Sequence, residues 1–139
     1  MERKSGLKWG QPVSYRVIYG DTDKAGVVYY ANYLKLFEIG RTEWMRDILG
    51  KPYRELENSG ILFPVVEVYV RYKAPAGYDD LLTIHTALKD ISKVTLTFYY
   101  EIKRHDKILV TGNTKHAAAD TTGKLTRIPK EISLGIKNL

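Results

Sequence analysis

YGDTDKAGVVYYANYLKLFEIGRTEWMRDILG, residues 19–50, changes its periodicity once, and that change decides the fold. GDTDKAG (20–26) is built from residue types that turn chains. From residue 31 to residue 49 the pattern changes to a spacing of three and four through Leu34, Phe37, Arg41, Trp44, Met45 and Ile48, all apolar but Arg41. That spacing predicts one amphipathic helix of about five turns and about 28 Å, closed by Gly50 with Pro52 shortly after.

On either side the period is two. PVSYRVIY (12–19) alternates and is rich in β-branched and aromatic residues, a first strand. After a loop carrying Asn58, Ser59 and Gly60, strands are expected over 63–73, 81–89, 93–104 and 108–120, the first ended by Ala74-Pro75-Ala76-Gly77. In the third of these, Val94, Leu96, Phe98, Tyr100 and Ile102 share one face, while Thr95, Thr97, Tyr99, Glu101 and Lys103 share the other. His105-Asp106 form a hairpin turn, and residues 128–139 a short helix or irregular strand. One long helix cannot cover both faces of a flat sheet. Consecutive strands with short turns pair antiparallel, so the order predicts an α+β domain in which a curved antiparallel sheet wraps the helix.

At 139 residues the chain fits a single domain spanning 1–139, with neither linker nor repeat. It has no cysteine, which excludes disulfides, a thiolate nucleophile and Cys-based metal sites. The net charge of +6 and a pI near 9.4 favour an anionic partner: nucleic acid, anionic lipid or a phosphorylated small molecule. The excess is greatest in residues 101–139, with 8 basic against 4 acidic residues, but no run of Lys and Arg forms a nucleic-acid arm. A polar start and the absence of a long apolar run lead us to expect a cytoplasmic protein.

Chemistry concentrates in residues 19–33, where Asp21 and Asp23 lie two apart in a loop leading to a helix start. Aspartates there can simply turn the loop or cap the helix, although Asp23 is too far from the first helical residues to cap it directly. A calcium loop is a second reading, but D-T-D-K-A-G lacks the further oxygen ligands and the terminal Glu, so no metal is expected. The third reading is catalytic. Free N–H groups at a helix start polarise a carbonyl oxygen, and a nearby carboxylate attacks the carbonyl carbon or takes a proton from water.

These residues carry a family resemblance. The pattern Y-x-D-T-D-x-A-G-V-V-Y-x-x-N-Y-x-x-x-F-E-x-x-R-T-E-W-M-R (19–46) resembles the hotdog-fold acyl-CoA thioesterases of the 4-hydroxybenzoyl-CoA thioesterase family, nearest the YbgC-like, Tol-Pal-associated branch. The similarity continues through Tyr72, Pro75, Ala76, Tyr78, Asp79, Asp80, Leu82, Ile84, Lys93 and Thr95, from about residue 12 to 120. It implies a hotdog fold, a five- or six-stranded antiparallel sheet around one long helix. It also implies a homodimer joined edge to edge, or a dimer of dimers, with the active site between subunits. Asp23 takes the place of the family's nucleophile or general base, and the backbone N–H at Tyr30, where many relatives carry His, that of the carbonyl-polarising donor. Gly26 and Val28 fall in the same substrate loop. The implied substrate is an acyl-CoA, with no cofactor beyond the coenzyme A it brings, no nucleic acid, and Tol-Pal or membrane-associated partners by resemblance alone.

Other candidates have plainer alternatives. Glu38 either pairs with Arg41 one turn on or borders the acyl pocket. Lys93 matches a position where basic residues meet coenzyme A phosphates, and Arg71 and Lys73 could extend that basic stripe; solvated or edge-protecting charges are the alternative. His85, His105 and His116 share no metal spacing, and no serine sits in a nucleophile elbow. The function expected is thioester hydrolysis. The alternative is a non-catalytic acyl-CoA-binding or scaffold module of the same fold.

Overall fold

A computed structural model describes residues 6–137 and 139. Two short strands, β1 (Lys8–Trp9) and β2 (Val13–Arg16), lead through a 3-10 turn (Tyr19–Asp21) to the long helix α1 (Asn32–Leu49). A short helix α2 (Tyr53–Asn58) follows, then β3 (Val65–Tyr72), β4 (Leu81–Ile91), β5 (Thr95–Arg104) and β6 (Lys107–Ala117), and finally α3 (Lys130–Lys137). The expected long helix is present, and Gly50 ends it in the left-handed conformation with φ 68°. The expected strands are present too, with ends shifted by a few residues. Two elements escape a periodicity reading because they are too short to show one: β1, two residues long, and α2, which occupies the expected loop before Ser59.

All pairings in the six-stranded sheet are antiparallel. β4, β5 and β6 form a meander, while β1 and β2 lie end to end along the outer edge of β4, with Trp9 opposite Ala87 and Val13 opposite Ile84. β3 does not neighbour the strand that follows it. It pairs with β6, Val68 opposite Thr114, so residues 73–80 cross from one border of the sheet to the other. Among the described residues no strand covers the other side of β3, whose residues are exposed except for a half-buried Val70.

The sheet curves around α1. Phe37 stacks on Tyr100 with ring centroids 4.2 Å apart, and Trp44 meets Phe98 edge-on at 5.3 Å. This approach requires Gly112, since a Cβ there would lie 2.6 Å from the Phe37 ring. The buried face of α1 is Tyr33, Leu36, Phe37, Gly40, Trp44 and Met45. It is rotated from the expected stripe: Leu34 is exposed, while Gly40 takes a core position where Thr86 and Ile84 leave no room for a side chain. An apolar-residue count overlooks a glycine that is buried because it is small.

Candidate active site

The loop entering α1 holds the two acids differently. Asp21 is 2% exposed. Its carboxylate accepts hydrogen bonds from the Ile18 N–H (3.0 Å), the Tyr15 hydroxyl (2.9 Å) and the Lys35 ammonium (2.6 Å). Its backbone carbonyl accepts the Tyr29 N–H and the Asn32 side-chain amide, both at 2.8 Å. Burial pushes the Asp21 carboxyl up, but the donors from Ile18, Lys35 and Tyr15 outweigh this and leave it below the ordinary aspartate range. Asp21 therefore fastens β2, the 3-10 turn and the first turns of α1 together.

Asp23 lies exposed at the tip of the loop. The turn around it is closed by its own backbone, whose N–H donates to Val27 O (2.9 Å) and whose carbonyl accepts Gly26 N–H (3.0 Å). Gly26 sits at φ 83°, which a side chain would strain. One carboxylate oxygen of Asp23 accepts the Ala25 N–H at 2.9 Å, so the other retains its accepting capacity. Behind the loop, Val28 N–H donates to Ala76 O and Val27 bridges to Gly77. Asp80 holds that segment, accepting from Gly77 N–H and Arg104, both at 2.8 Å, and these donors keep its carboxyl below the usual range.

No side chain caps the start of α1. The Tyr29 carbonyl accepts Asn32 N–H (2.9 Å), and the Tyr30 carbonyl accepts Tyr33 N–H (3.4 Å) and the Tyr72 hydroxyl (2.9 Å). Across a trans peptide the N–H points opposite to the carbonyl. The N–H groups of Tyr30 and Ala31 thus point away from the helix, and neither has an acceptor among the described residues. An exposed carboxylate and two free donors, joined by the braced loop 23–31, can act together on a carbonyl group.

The other expected site residues are scattered. Val28 is buried in the core. Glu38, on the exposed side of α1, pairs with Arg41 at 3.7 Å and edges a cavity of about 770 Å³ that also touches Met45, Tyr53, Phe63 and His116. This cavity, at the β3 start, does not reach Asp23 or Tyr30. At its back, His116 Nδ1–H donates to Phe63 O (2.9 Å), and Nε2 is left to accept from Thr114, whose oxygen meets Tyr100 Oη at 2.5 Å. Burial lowers the His116 pKa to about 4, so the ring is neutral.

Arg71 and Lys73 are exposed on either side of Tyr72 at the end of β3. Lys93 lies between β4 and β5, at the end of the sheet opposite Asp23, which stands where β2 meets the start of β4. Lys93 is not solitary: Arg127, Lys130 and Lys137 join it around a pocket of about 450 Å³ with no acid in its lining. Reading along the sequence missed these three because only the fold places α3 against the β4–β5 turn. It also gave no site role to Tyr72, which entered only as a matched position of the resemblance, two residues before the Ala74-Pro75 break. Among the described residues there is no group of three His, Asp or Glu positioned to hold a metal, and no helix is long and apolar enough to cross a membrane.

The sequence pattern of the thioesterase-like superfamily matches residues 17–135. The chain is 34% identical over 126 residues to the acyl-CoA thioesterase YbgC of Haemophilus influenzae, covering 89% of this chain and 92% of that protein. A DHNA-CoA thioesterase from Staphylococcus aureus superposes with a TM-score of 0.87 at 26% identity, over 94% of this chain and 89% of that one. A hypothetical protein from Aquifex aeolicus superposes with a TM-score of 0.85 at 33% identity, over 91% of this chain and 98% of that one.

Proposed function

The chain belongs to the thioesterase-like superfamily and has its hotdog fold, and from that premise we propose that it hydrolyses an acyl-CoA thioester to a free acid and coenzyme A. The observation that carries this reading is that one loop presents both an exposed Asp23 and, at its helix end, the unengaged N–H of Tyr30. The thioester oxygen accepts from Tyr30 N–H as negative charge develops on it, the point at which one pre-aimed donor is worth about 3–4 kcal/mol. Asp23 either attacks the carbonyl carbon, giving an anhydride that water opens, or removes a proton from the attacking water. In both routes the C–S bond breaks and the thiolate leaves, taking up a proton to give the free thiol. A thiolate is a good leaving group, so a carboxylate suffices.

The site is completed by a second copy of the chain. β3 presents Val66, Val68 and Tyr69 along an uncovered edge, and antiparallel pairing of two such edges would set the β3 start of one copy beside the β3 end of the other. The cavity beside Val65 and the Lys93 end of the sheet then face the partner's helix start. The acyl group occupies the first. Lys93, with Arg127, Lys130 and Lys137, meets the phosphates of coenzyme A, and Arg71 and Lys73 lie beside the entrance. An aromatic acyl group belongs in the test because one structural relative is a DHNA-CoA thioesterase.

Thiol release by the purified protein is measured across short, long and aromatic acyl-CoAs, with Asp23→Asn alongside. We expect Asp23→Asn to lower kcat by about 10² or more. Undiminished turnover in that variant removes Asp23 from the mechanism.

A further inference from the structure

We propose that Tyr72 is a positioning residue for the carbonyl-polarising N–H groups at the start of α1, fixing the Tyr30–Ala31 peptide from the edge strand β3. The inference rests on the thioesterase reading above and adds a residue that the helix itself does not contain.

The two peptides at the helix start are held differently. The Tyr29–Tyr30 peptide is held by the helix, because its carbonyl accepts Asn32 N–H at 2.9 Å. The next peptide is held poorly from within. The Tyr30 carbonyl meets Tyr33 N–H only at 3.4 Å, beyond the usual range for such a bond, and its short contact is the Tyr72 hydroxyl at 2.9 Å. No side chain caps the helix, so nothing else on α1 compensates.

Tyr72 is well placed to act as a fixed arm. Its backbone is the last β3 residue paired with β6, opposite Val110, and the next two N–H groups both donate to Leu109 O, at 2.8 and 3.1 Å. Its ring, though partly exposed, is set edge-on against Tyr30 (6.4 Å) and the buried Tyr33 (5.7 Å), which aims the hydroxyl at the Tyr30 carbonyl. Partial desolvation, with Tyr30 nearby, raises its pKa, which keeps the phenol protonated as a donor at working pH.

Two effects follow. The peptide plane cannot rotate, so Ala31 N–H stays aimed outward beside Tyr30 N–H and the thioester oxygen meets two donors. A hydrogen bond to the carbonyl also polarises the amide and strengthens that N–H as a donor. Because β3 is the uncovered edge, donor geometry is tied to the strand on which a second copy would dock.

Tyr72→Phe keeps the ring and removes the hydroxyl. Steady-state thioester hydrolysis is measured together with the 1H–15N correlation spectrum of the unliganded protein. We expect kcat to fall about tenfold with KM unchanged, well within what a misplaced catalytic group costs, and the Ala31 amide resonance to move. Wild-type kcat in the variant overturns the proposal, as does a rise in KM alone, which marks a binding role, or an unmoved Ala31 amide. Absence of thioester cleavage by the wild type is a separate failure, that of the functional reading itself, and takes the positioning role with it.

Discussion

At the scale of the residue, D-T-D divides its labour by burial. Asp23 keeps a free oxygen at the loop tip, whereas the buried Asp21 carboxylate is engaged by three donors and its backbone carbonyl by two more. Sequence spacing narrows the chemistry to these two acids but cannot say which is exposed, because that depends on Lys35 and Tyr15 closing around one of them. Asp21→Ala is expected to cost about 2 kcal/mol of folding stability, since it leaves the Ile18 N–H, Tyr15 and Lys35 without their acceptor. The check is urea denaturation of the variant beside Asp23→Asn. The latter should unfold like the wild type, because its exposed carboxylate takes one local bond. The folded pKa of Asp21 is depressed, so its contribution is present above the unfolded value of 3.8 and is lost as pH falls through the folded value below it.

At the scale of the element, α1 was legible in the sequence and its rotation was not. Periodicity gives the length of a helix and its apolar face only to within the neighbours of each apolar residue. Gly40, which carries no hydrophobic signal, sits where Ile84 and Thr86 of β4 leave no room for a side chain. β3 carries the same lesson in reverse. Its run of β-branched and aromatic residues reads as a strand but does not say which strand lies at the edge, where Val66 and Val68 are exposed. An exposed, apolar and uncapped edge is a template for pairing with another chain. Replacing Val66 and Val68 together with lysine should therefore shift the protein to a monomer in light scattering and abolish thioester hydrolysis in the same samples. A dimer that survives the double substitution places the interface elsewhere.

At the scale of the molecule, the polar chain Tyr100–Thr114–His116–Phe63 O is enclosed where sheet and helices meet, and it sets a pH dependence. Burial holds the His116 pKa at about 4 against 6.5 in the unfolded chain, and Arg41 nearby pushes the same way. Between pH 6.5 and 4 the unfolded chain binds a proton that the folded one refuses, so stability falls as pH falls through that window and levels off below it. The loss is on the order of 3 kcal/mol at most. Urea midpoints at pH 7.5, 6 and 4.5 measure it, and His116→Gln should flatten that slope. The sequence by itself determined the α+β class, the single long helix, the antiparallel strands and the loop in which the chemistry lies, because these follow from local periodicity, turn residues and a run of matched positions. Tertiary structure alone decided which aspartate is free, that Tyr72 reaches the helix start 42 residues away, that α3 and the residues leading into it bring Arg127, Lys130 and Lys137 to Lys93, and that Lys93 and Asp23 stand at opposite ends of the sheet. The physical reason is the same each time: burial and hydrogen-bond partners are properties of segments brought together from far apart, and no local pattern encodes them.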